Sequence, residues 1–170
     1  MDAMIKYRIR HAEPKESLYI STIDKSLFET GWKQQKIKQI TESQGYRVNI
    51  AVVLPCQVNA GTVHRLLGYV ITCFNKVGEE EILRIGVHPD YQGEGIGSSL
   101  VDSVFHDSPA RRVSVSAMLC PDREEDAEAI DFFRRLGFKA CHVFRSTVDG
   151  IPSSENVFYQ FRRTLKKSRR

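Results

Sequence analysis

The sequence predicts a mixed α/β fold, and three observations carry that prediction. First, Ile82, Leu83, Ile85 and Val87 follow an apolar strand pattern that stops at His88-Pro89. A segment with three glycines follows, Gly93, Gly95 and Gly97, and then Ile96, Leu100, Val101, Val104 and Phe105 recur at helical spacing. Second, residues 112–118 alternate Val113, Val115 and Ala117 with serines, as a half-exposed strand does. Third, Ile130, Phe133 and Leu136 form a helical stripe, and Gly137 is a natural C-cap for it. At 170 residues the chain suits one domain with a core of ordinary size.

The remaining elements fall around these three. Residues 7–9 read as a first strand. Pro14 suits the first turn of a helix whose buried side is expected to be Leu18, Ile23 and Leu27. Residues 32–42 form a second short helix that ends near Gly45. Residues 48–54 and 65–74 read as paired strands, joined by a stretch too long for a two-residue turn. The strand at 81–87 leads into the glycine turn and a helix to Asp107. The helix at 122–136 begins with Asp122 and Glu125 at capping-box spacing. Two closing strands, 140–148 and 156–163, flank turn material at 149–154. The order is βααβββαβαββ, with no internal repeat or long linker.

Composition narrows the class. Hydrophobic residues at 41% and charged residues at 27% are ordinary for a soluble globular protein. No apolar run approaches the roughly 20 residues that span a bilayer, and the N-terminus lacks a signal-peptide core. No membrane association is expected. Cys56, Cys73, Cys120 and Cys141 are scattered without metal-ligand spacing, so they read as free thiols in a reducing compartment, no metal is expected, and the location is expected to be cytoplasmic. The sequence pI is about 8.9. Yet the last nine residues, RRTLKKSRR, carry six of the 25 basic residues; the 19 left face 21 acids, a net of −2. The body is therefore mildly acidic. Residues 1–163 are expected to form the domain and 164–170 a basic tail, read as a solvated end. Nothing else suggests a groove-reading or base-stacking element, so nucleic acid is not expected as a partner.

A strand feeding a glycine-rich turn that opens a helix is suited to phosphate. The first helical turn has N–H groups without internal partners, and the dipole places partial positive charge there. Glycines let that backbone approach a ligand closely. The spacing separates the candidates: no Gly-Lys-Ser/Thr closes the turn, and the glycines fall as G-x-G-x-G, not G-x-G-x-x-G. What is present is Gln-x-x-Gly-x-Gly, met by Gln92, Gly95 and Gly97, with Ile-Gly-Val and Pro-Asp-Tyr before it.

That segment resembles the pyrophosphate-binding signature of the GNAT superfamily, the acetyl-coenzyme-A-dependent N-acetyltransferases. The element order resembles the same fold from end to end. The resemblance implies a central mixed, mostly antiparallel sheet of about seven strands with four helices, and splayed strands at the cofactor site. It implies acetyl-CoA as cosubstrate, held by backbone N–H groups of Gly93, Glu94, Gly95, Ile96, Gly97 and Ser98 after Gln92. Ile85 and Val87, with Gly86 between them, would pair with the pantetheine arm as a further strand does. Ser98 and Ser99 could add hydroxyls. A second segment, AIDFFRRLGF, matches the family at Ala129, Phe132, Gly137 and Phe138. Asp126 stands where the family often has an Asn that contacts pantetheine, and Phe133 where it often has a Tyr that protonates the departing thiolate.

Acetyl transfer to an amine requires that the amine lose a proton, because its pKa is about 10. The resemblance offers Glu81, which has the spacing of the catalytic Glu of the histone-acetylating branch relative to the glycine loop. It also belongs to an acidic run at a strand start, Glu79-Glu80-Glu81, whose plainer reading is a solvated turn. The branch that acetylates ribosomal-protein N-termini carries its Glu on the following strand, where this chain has only Ser114 and Ser116. Phe133 cannot donate a proton, and a thiolate with a pKa of about 8.5 leaves without a dedicated acid. Tyr159 reads as core, His88 as part of the turn before Pro89, and Cys141 is not needed for direct attack. The acceptor, a protein N-terminus, a lysine or a small amine, is not legible, and a homodimer stays open because dimers are common in the family. The rival reading is a CoA-binding module without turnover, acting through protein partners.

Overall fold

The chain is described here by a computed structural model covering residues 5–55, 65–74, 79–108, 112–120, 123–148 and 151–166. Its elements are β1 (Tyr7–His11), α1 (Ser17–Leu27), α2 (Gln34–Thr41), β2 (Tyr46–Val53), β3 (Leu66–Phe74), β4 (Glu80–Val87), α3 (Ile96–Asp107), β5 (Arg112–Leu119), α4 (Glu124–Arg135), β6 (Lys139–Val148) and β7 (Ile151–Lys166). The seven strands hydrogen-bond in the order β1-β2-β3-β4-β5-β7-β6. Pairing is antiparallel in β1–β2, β2–β3, β5–β7 and β6–β7, and parallel in β4–β5. This is the mixed, mostly antiparallel sheet with four helices that the family resemblance implies.

The chain divides into two compact units, Met1–Cys73 with Arg84–Asp107, and Phe74–Leu83 with Ser108–Arg170. In the first, Ile20 and Ile23 of α1 and Ile37 and Ile40 of α2 pack on Val48, Ile50 and Val52 of β2 and Leu66, Tyr69 and Ile71 of β3. Alternate strand residues share a sheet face, so one side of β2 buries three branched chains together. The expected buried side of α1 is corrected at one position. Leu18 is 52% exposed. A 3-10 turn over Pro14–Glu16 precedes the helix, and the buried stripe is Ser17, Ile20, Ser21, Ile23 and Asp24. Leu18 stands one residue, about 100° of rotation, away from Ser17 on that stripe.

Helix α3 buries Ile96, Leu100, Val101, Val104 and Phe105, the set its spacing predicts. In the second unit β5 is not the half-exposed strand expected: it lies between other strands, and Val115, Ser116 and Ala117 are all buried. Helix α4 starts at Glu124 with Arg123 as N-cap and no cap from the Arg123 side chain; the expected capping box falls on Asp122, which lies outside the described residues. Gly137 closes the helix at φ +84°, as expected of a C-cap.

The last hairpin differs from expectation. Ile151 already pairs with Val148, so strand replaces most of the turn expected at 149–154. Asp149 and Gly150, a dipeptide favoured in two-residue hairpin turns, lie outside the described residues, as does the loop at 56–64. Strand β7 also runs three residues past the expected boundary at 163, pairing Lys166 with Arg112. Cross-strand hydrogen bonding to β5 extends it. Residues 167–170 lie outside the described set. Cys73, Cys120 and Cys141 are free thiols, and Cys56 is not among the described residues. Among the described residues no helix is long and apolar enough to cross a membrane.

Candidate functional site

The turn between β4 and α3 has the geometry that its glycines suggest. Gly93 and Gly95 have φ of +81° and +78°. A Cβ at either would meet no described atom within 4 Å, so the glycines serve backbone conformation and leave open space beside the turn. The first α3 amide bonded within the helix is that of Ser99, which donates to Gly95 O at 3.1 Å. The N–H groups of Ile96, Gly97 and Ser98 therefore precede the internal ladder. Glu94 is exposed, so only its backbone suits an anion. Ser99 is engaged elsewhere: its Oγ shares a hydrogen bond of 2.8 Å with Tyr7 Oη. Ser98 is the hydroxyl that remains for a ligand.

Gln92 has a role that the motif does not reveal. Its Nε2 donates to Val87 O at 3.2 Å, tying the turn back to the strand it leaves. His88 is occupied in the same way, with Nδ1 accepting from the Asp90 N–H at 3.2 Å, so it serves the turn as expected.

Strand β4 presents a backbone edge before this turn. The His88 N–H donates to Leu67 O of β3 at 2.8 Å. Strand alternation then sends the backbone groups of Ile85 and Val87 to the other edge. On that edge the parallel ladder to β5 covers only Glu80, Glu81 and Ile82. Among the described residues it does not continue through 83–87. The Val87 carbonyl, already accepting from Gln92, keeps a second lone pair.

Behind this part of β4 lies a network that the sequence reading missed. Asp24 is 0% exposed. It accepts hydrogen bonds from Tyr69 Oη and from the Trp32 N–H at 2.5 Å, and Arg84 Nε stands 3.1 Å from its Oδ1. Arg84 Nη2 also donates to Thr30 O at 2.7 Å, and its guanidinium lies 4.1 Å from the Phe28 ring centroid. One carboxylate thus fastens α1, the segment before α2, β3 and β4. Burial, reinforced by the charge of Asp24 and the hydrogen bond to it, pushes the Tyr69 phenol far up and keeps it a donor. Gly86 fits because any Cβ there would come within 2.8 Å of Leu27 Cδ1 and Tyr69 Cε1. The sequence signal was present: Asp24 sits on the apolar stripe of α1, and Arg84 interrupts an apolar strand.

The acidic run is not a solvated turn. Glu79 Oε2 accepts from Arg162 Nη2 at 3.1 Å, and Glu80 is buried. Glu81 lies within β4, half-buried, and burial pushes its carboxyl above the ordinary carboxylate value. Desolvation disfavours the charged form and makes the carboxylate a stronger base.

Two expected contact residues in the second unit make contacts within it. Asp126 Oδ2 accepts from the Cys120 N–H at 2.8 Å, joining the first turn of α4 to the end of β5. Phe133 is 2% exposed, edge-on to Phe132 and Phe138 with centroids at 5.2 and 5.0 Å. Phe133→Tyr therefore brings a hydroxyl into an apolar cluster. It should lower unfolding free energy by about 1–3 kcal/mol in urea titration. Unchanged stability would show that the ring edge reaches water. Tyr159 is half-buried in β7, opposite Leu119 and Val143, and Cys141 Sγ donates to Gln160 O at 3.4 Å.

Comparison with known proteins gives the family and the fold. Residues 54–140 match the family described as an acetyltransferase (GNAT) domain. Among solved structures, the chain resembles Arabidopsis thaliana NAA60 in complex with a bisubstrate analogue, at 16% identity and TM-score 0.71, covering 95% of this chain and 100% of that one. It also resembles Ard1 from Thermoplasma volcanium, at 20% identity and TM-score 0.69 over 95% and 99% of the two chains. A third is yncA, a putative acetyltransferase from Salmonella typhimurium solved with its cofactor acetyl-CoA, at 16% identity, TM-score 0.65 and coverage of 96% and 95%.

Proposed function

Because the chain belongs to the GNAT acetyltransferase family, whose model matches residues 54–140, we propose that it transfers an acetyl group from acetyl-CoA to a primary amine by direct attack. The observation that carries this reading is the turn itself: two positive-φ glycines with open space beside them, leading into the N-terminus of α3. That arrangement fits a pyrophosphate, which takes hydrogen bonds from backbone N–H groups and is favoured by the helix dipole. The residues that would hold it are 93–98, with Gln92 fixing the turn. Ile85 and Val87 would offer backbone groups to the pantetheine arm from the edge of β4 away from β3. Acetyl-CoA supplies the acetyl group as an activated thioester.

The chain's own contribution to chemistry is then small and specific. Glu81 accepts the proton that the amine must lose, and its raised pKa suits that task. Asp24, Tyr69 and Arg84 hold β4 in place from behind, so its open edge is fixed before any ligand arrives. Asp126 and Phe133 support the scaffold; neither offers a proton to a thiolate. The acceptor is a protein N-terminus, a lysine or a small amine.

Gly95→Asp tests the cofactor assignment. Asp is among the residues that adopt positive φ most readily, so the turn is retained while a negative charge is set against the phosphate position. Calorimetric titration should show acetyl-CoA affinity lower by about tenfold or more, at least about 1.4 kcal/mol. Gly95→Asn, with the same shape and no charge, should lose less. A folded Gly95→Asp variant with the parent's affinity would place the pyrophosphate elsewhere.

A further inference from the structure

Helix α3 meets β1 and β2 along a polar stripe. Ser99, Ser103 and Asp107 stand four residues apart and share one face of the helix. Asn49 of β2, 1% exposed, donates through Nδ2 to Ser103 Oγ at 2.8 Å and to Asp107 Oδ2 at 2.9 Å. Ser103 Oγ in turn donates to Leu100 O at 2.6 Å. Both amide protons of Asn49 and the hydroxyl proton of Ser103 are therefore used within the fold. The stripe ends differently at the glycine turn. There Tyr7, which pairs with Val53 in the β1–β2 ladder, reaches Ser99, with Oη and Oγ 2.8 Å apart. Two hydroxyls carry two protons, and the bond between them uses one. Among the described residues neither oxygen makes another hydrogen bond, so one O–H of the pair has no acceptor there.

The position of that proton gives it a use. A helical side chain leans toward the N-terminus of its helix, so Ser99 Oγ, with Tyr7 Oη beside it, lies over the first turn of α3. The N–H groups of Ile96, Gly97 and Ser98 precede the internal ladder at that same turn. Tyr7 and Ser99 are both half-buried, so a ligand at the turn can reach the pair. A phenol is the stronger donor of the two hydroxyls, and a phosphate oxygen is a stronger acceptor than a serine oxygen. The favoured arrangement with phosphate present has Ser99 Oγ donating to Tyr7 Oη and the phenol donating outward. Each bond in such a chain polarises the next. We propose that Tyr7 donates a hydrogen bond to a pyrophosphate oxygen of the cofactor, with Ser99 as the positioning residue that holds the phenol over the turn. The inference rests on the pyrophosphate lying against residues 93–98, as proposed above. It extends the cofactor site to the first strand of the chain, outside residues 54–140 that match the family.

Tyr7→Phe removes the phenolic hydroxyl and keeps the ring. Calorimetric titration should show acetyl-CoA bound about tenfold more weakly, the loss of one hydrogen bond to a charged group. Ser99→Ala should weaken binding in the same direction but less, and Ser99→Thr, which keeps a hydroxyl, should recover most of the affinity. The double variant Tyr7→Phe with Ser99→Ala should bind no more weakly than Tyr7→Phe alone, because both changes act through one contact. Phosphorus-31 NMR of bound CoA supplies a readout that looser packing does not move. The pyrophosphate resonances should shift in Tyr7→Phe, while that of the 3′-phosphate stays. Thermal melting identifies the folded variants, and none of these measurements needs an acceptor. A folded Tyr7→Phe with the parent's affinity overturns the proposal. So does weaker binding with unmoved pyrophosphate resonances, which would reduce the pair to a packing contact between β1 and α3. Should Tyr7→Phe not fold, Ser99→Ala decides by the same two readings. Gly95→Asp separates this inference from the reading it rests on. If Gly95→Asp binds weakly and Tyr7→Phe does not, the turn holds the pyrophosphate and only the role of Tyr7 is wrong. If Gly95→Asp binds like the parent, both fall.

Discussion

Glu81→Gln lowers the rate of acetyl transfer at pH 7 by about 10²–10⁴-fold, the usual contribution of a positioned general base. The substitution keeps the shape of the side chain and removes only its basicity. Acetyl-CoA affinity should hardly change, because the groups assigned to the cofactor begin four residues further along β4 and continue into the turn. The pH profile gives a second reading. Burial raises the Glu81 pKa, so the carboxylate is the minority form until the pH passes a value above the ordinary carboxylate range. The parent's rate should be lost as the pH falls through that raised value. In Glu81→Gln this acid limb should be absent, and part of the rate should return at high pH, where more of the amine arrives neutral. Stability follows the opposite sign. A carboxyl whose folded pKa is raised favours the fold in its neutral form, so stability is present below the unfolded pKa and declines as pH rises through the folded one. Glu81→Gln should therefore be no less stable than the parent at pH 7. A variant that is slow because it is unfolded is excluded by the same measurement.

Asp24→Ala is expected to cost about 3–5 kcal/mol of stability, the penalty for leaving a buried partner uncompensated. Asp24 is 0% exposed and gathers Tyr69 Oη, the Trp32 N–H and Arg84. Its removal orphans a phenol, a peptide N–H and a guanidinium whose other contacts include Thr30 O and the Phe28 and Trp32 rings. The replacement also leaves a void between α1 and β3. Urea unfolding measures the loss directly. Asp24→Asn keeps an acceptor oxygen but no charge, and should fall between Ala and parent. Where the variant remains folded, acetyl-CoA binding should weaken too, since Arg84 no longer anchors β4 beside Ile85. Parent-like stability in Asp24→Ala would mean that Arg84 and Tyr69 find water, and that this region opens readily.

The fold was legible where a periodic apolar pattern decided it. The α3 stripe and the glycine turn each reflect one local physical constraint, and the structure reproduces them; the half-exposed strand expected at β5 is instead an interior strand on which Ser116 is as buried as its apolar neighbours. Leu18 was misread because apolar character alone does not fix which side of a helix faces the sheet; the stripe carrying Ser17, Ser21 and Asp24 is polar at three positions and is buried nonetheless. The ends of β7 were misread for a similar reason. A basic C-terminal segment reads as solvated until cross-strand partners are known, and Arg112 and Val113 supply them for Lys166 and Leu165. The phosphate-suited turn could be read from its glycines, because positive φ and close backbone approach are properties of single residues. The Asp24–Tyr69–Arg84 network left only a partial signal, an Asp on the buried stripe of α1 and an Arg within an apolar strand, because its members lie far apart in sequence and packing alone brings them together.

The account's central claim is acetyl-CoA-dependent transfer to an amine by direct attack, and one measurement tests it most directly. The parent protein is incubated with acetyl-CoA and a panel of an alanine-initiated peptide, a lysine peptide and spermidine, while thiol release and the mass of both acceptor and protein are followed. The prediction is one thiol released for each acetylated amine, acetyl on nitrogen, no acetylated protein intermediate, and the same reaction slowed in Glu81→Gln. Tight binding of CoA with no thiol released from any amine would contradict it and leave a binding module that acts through partners.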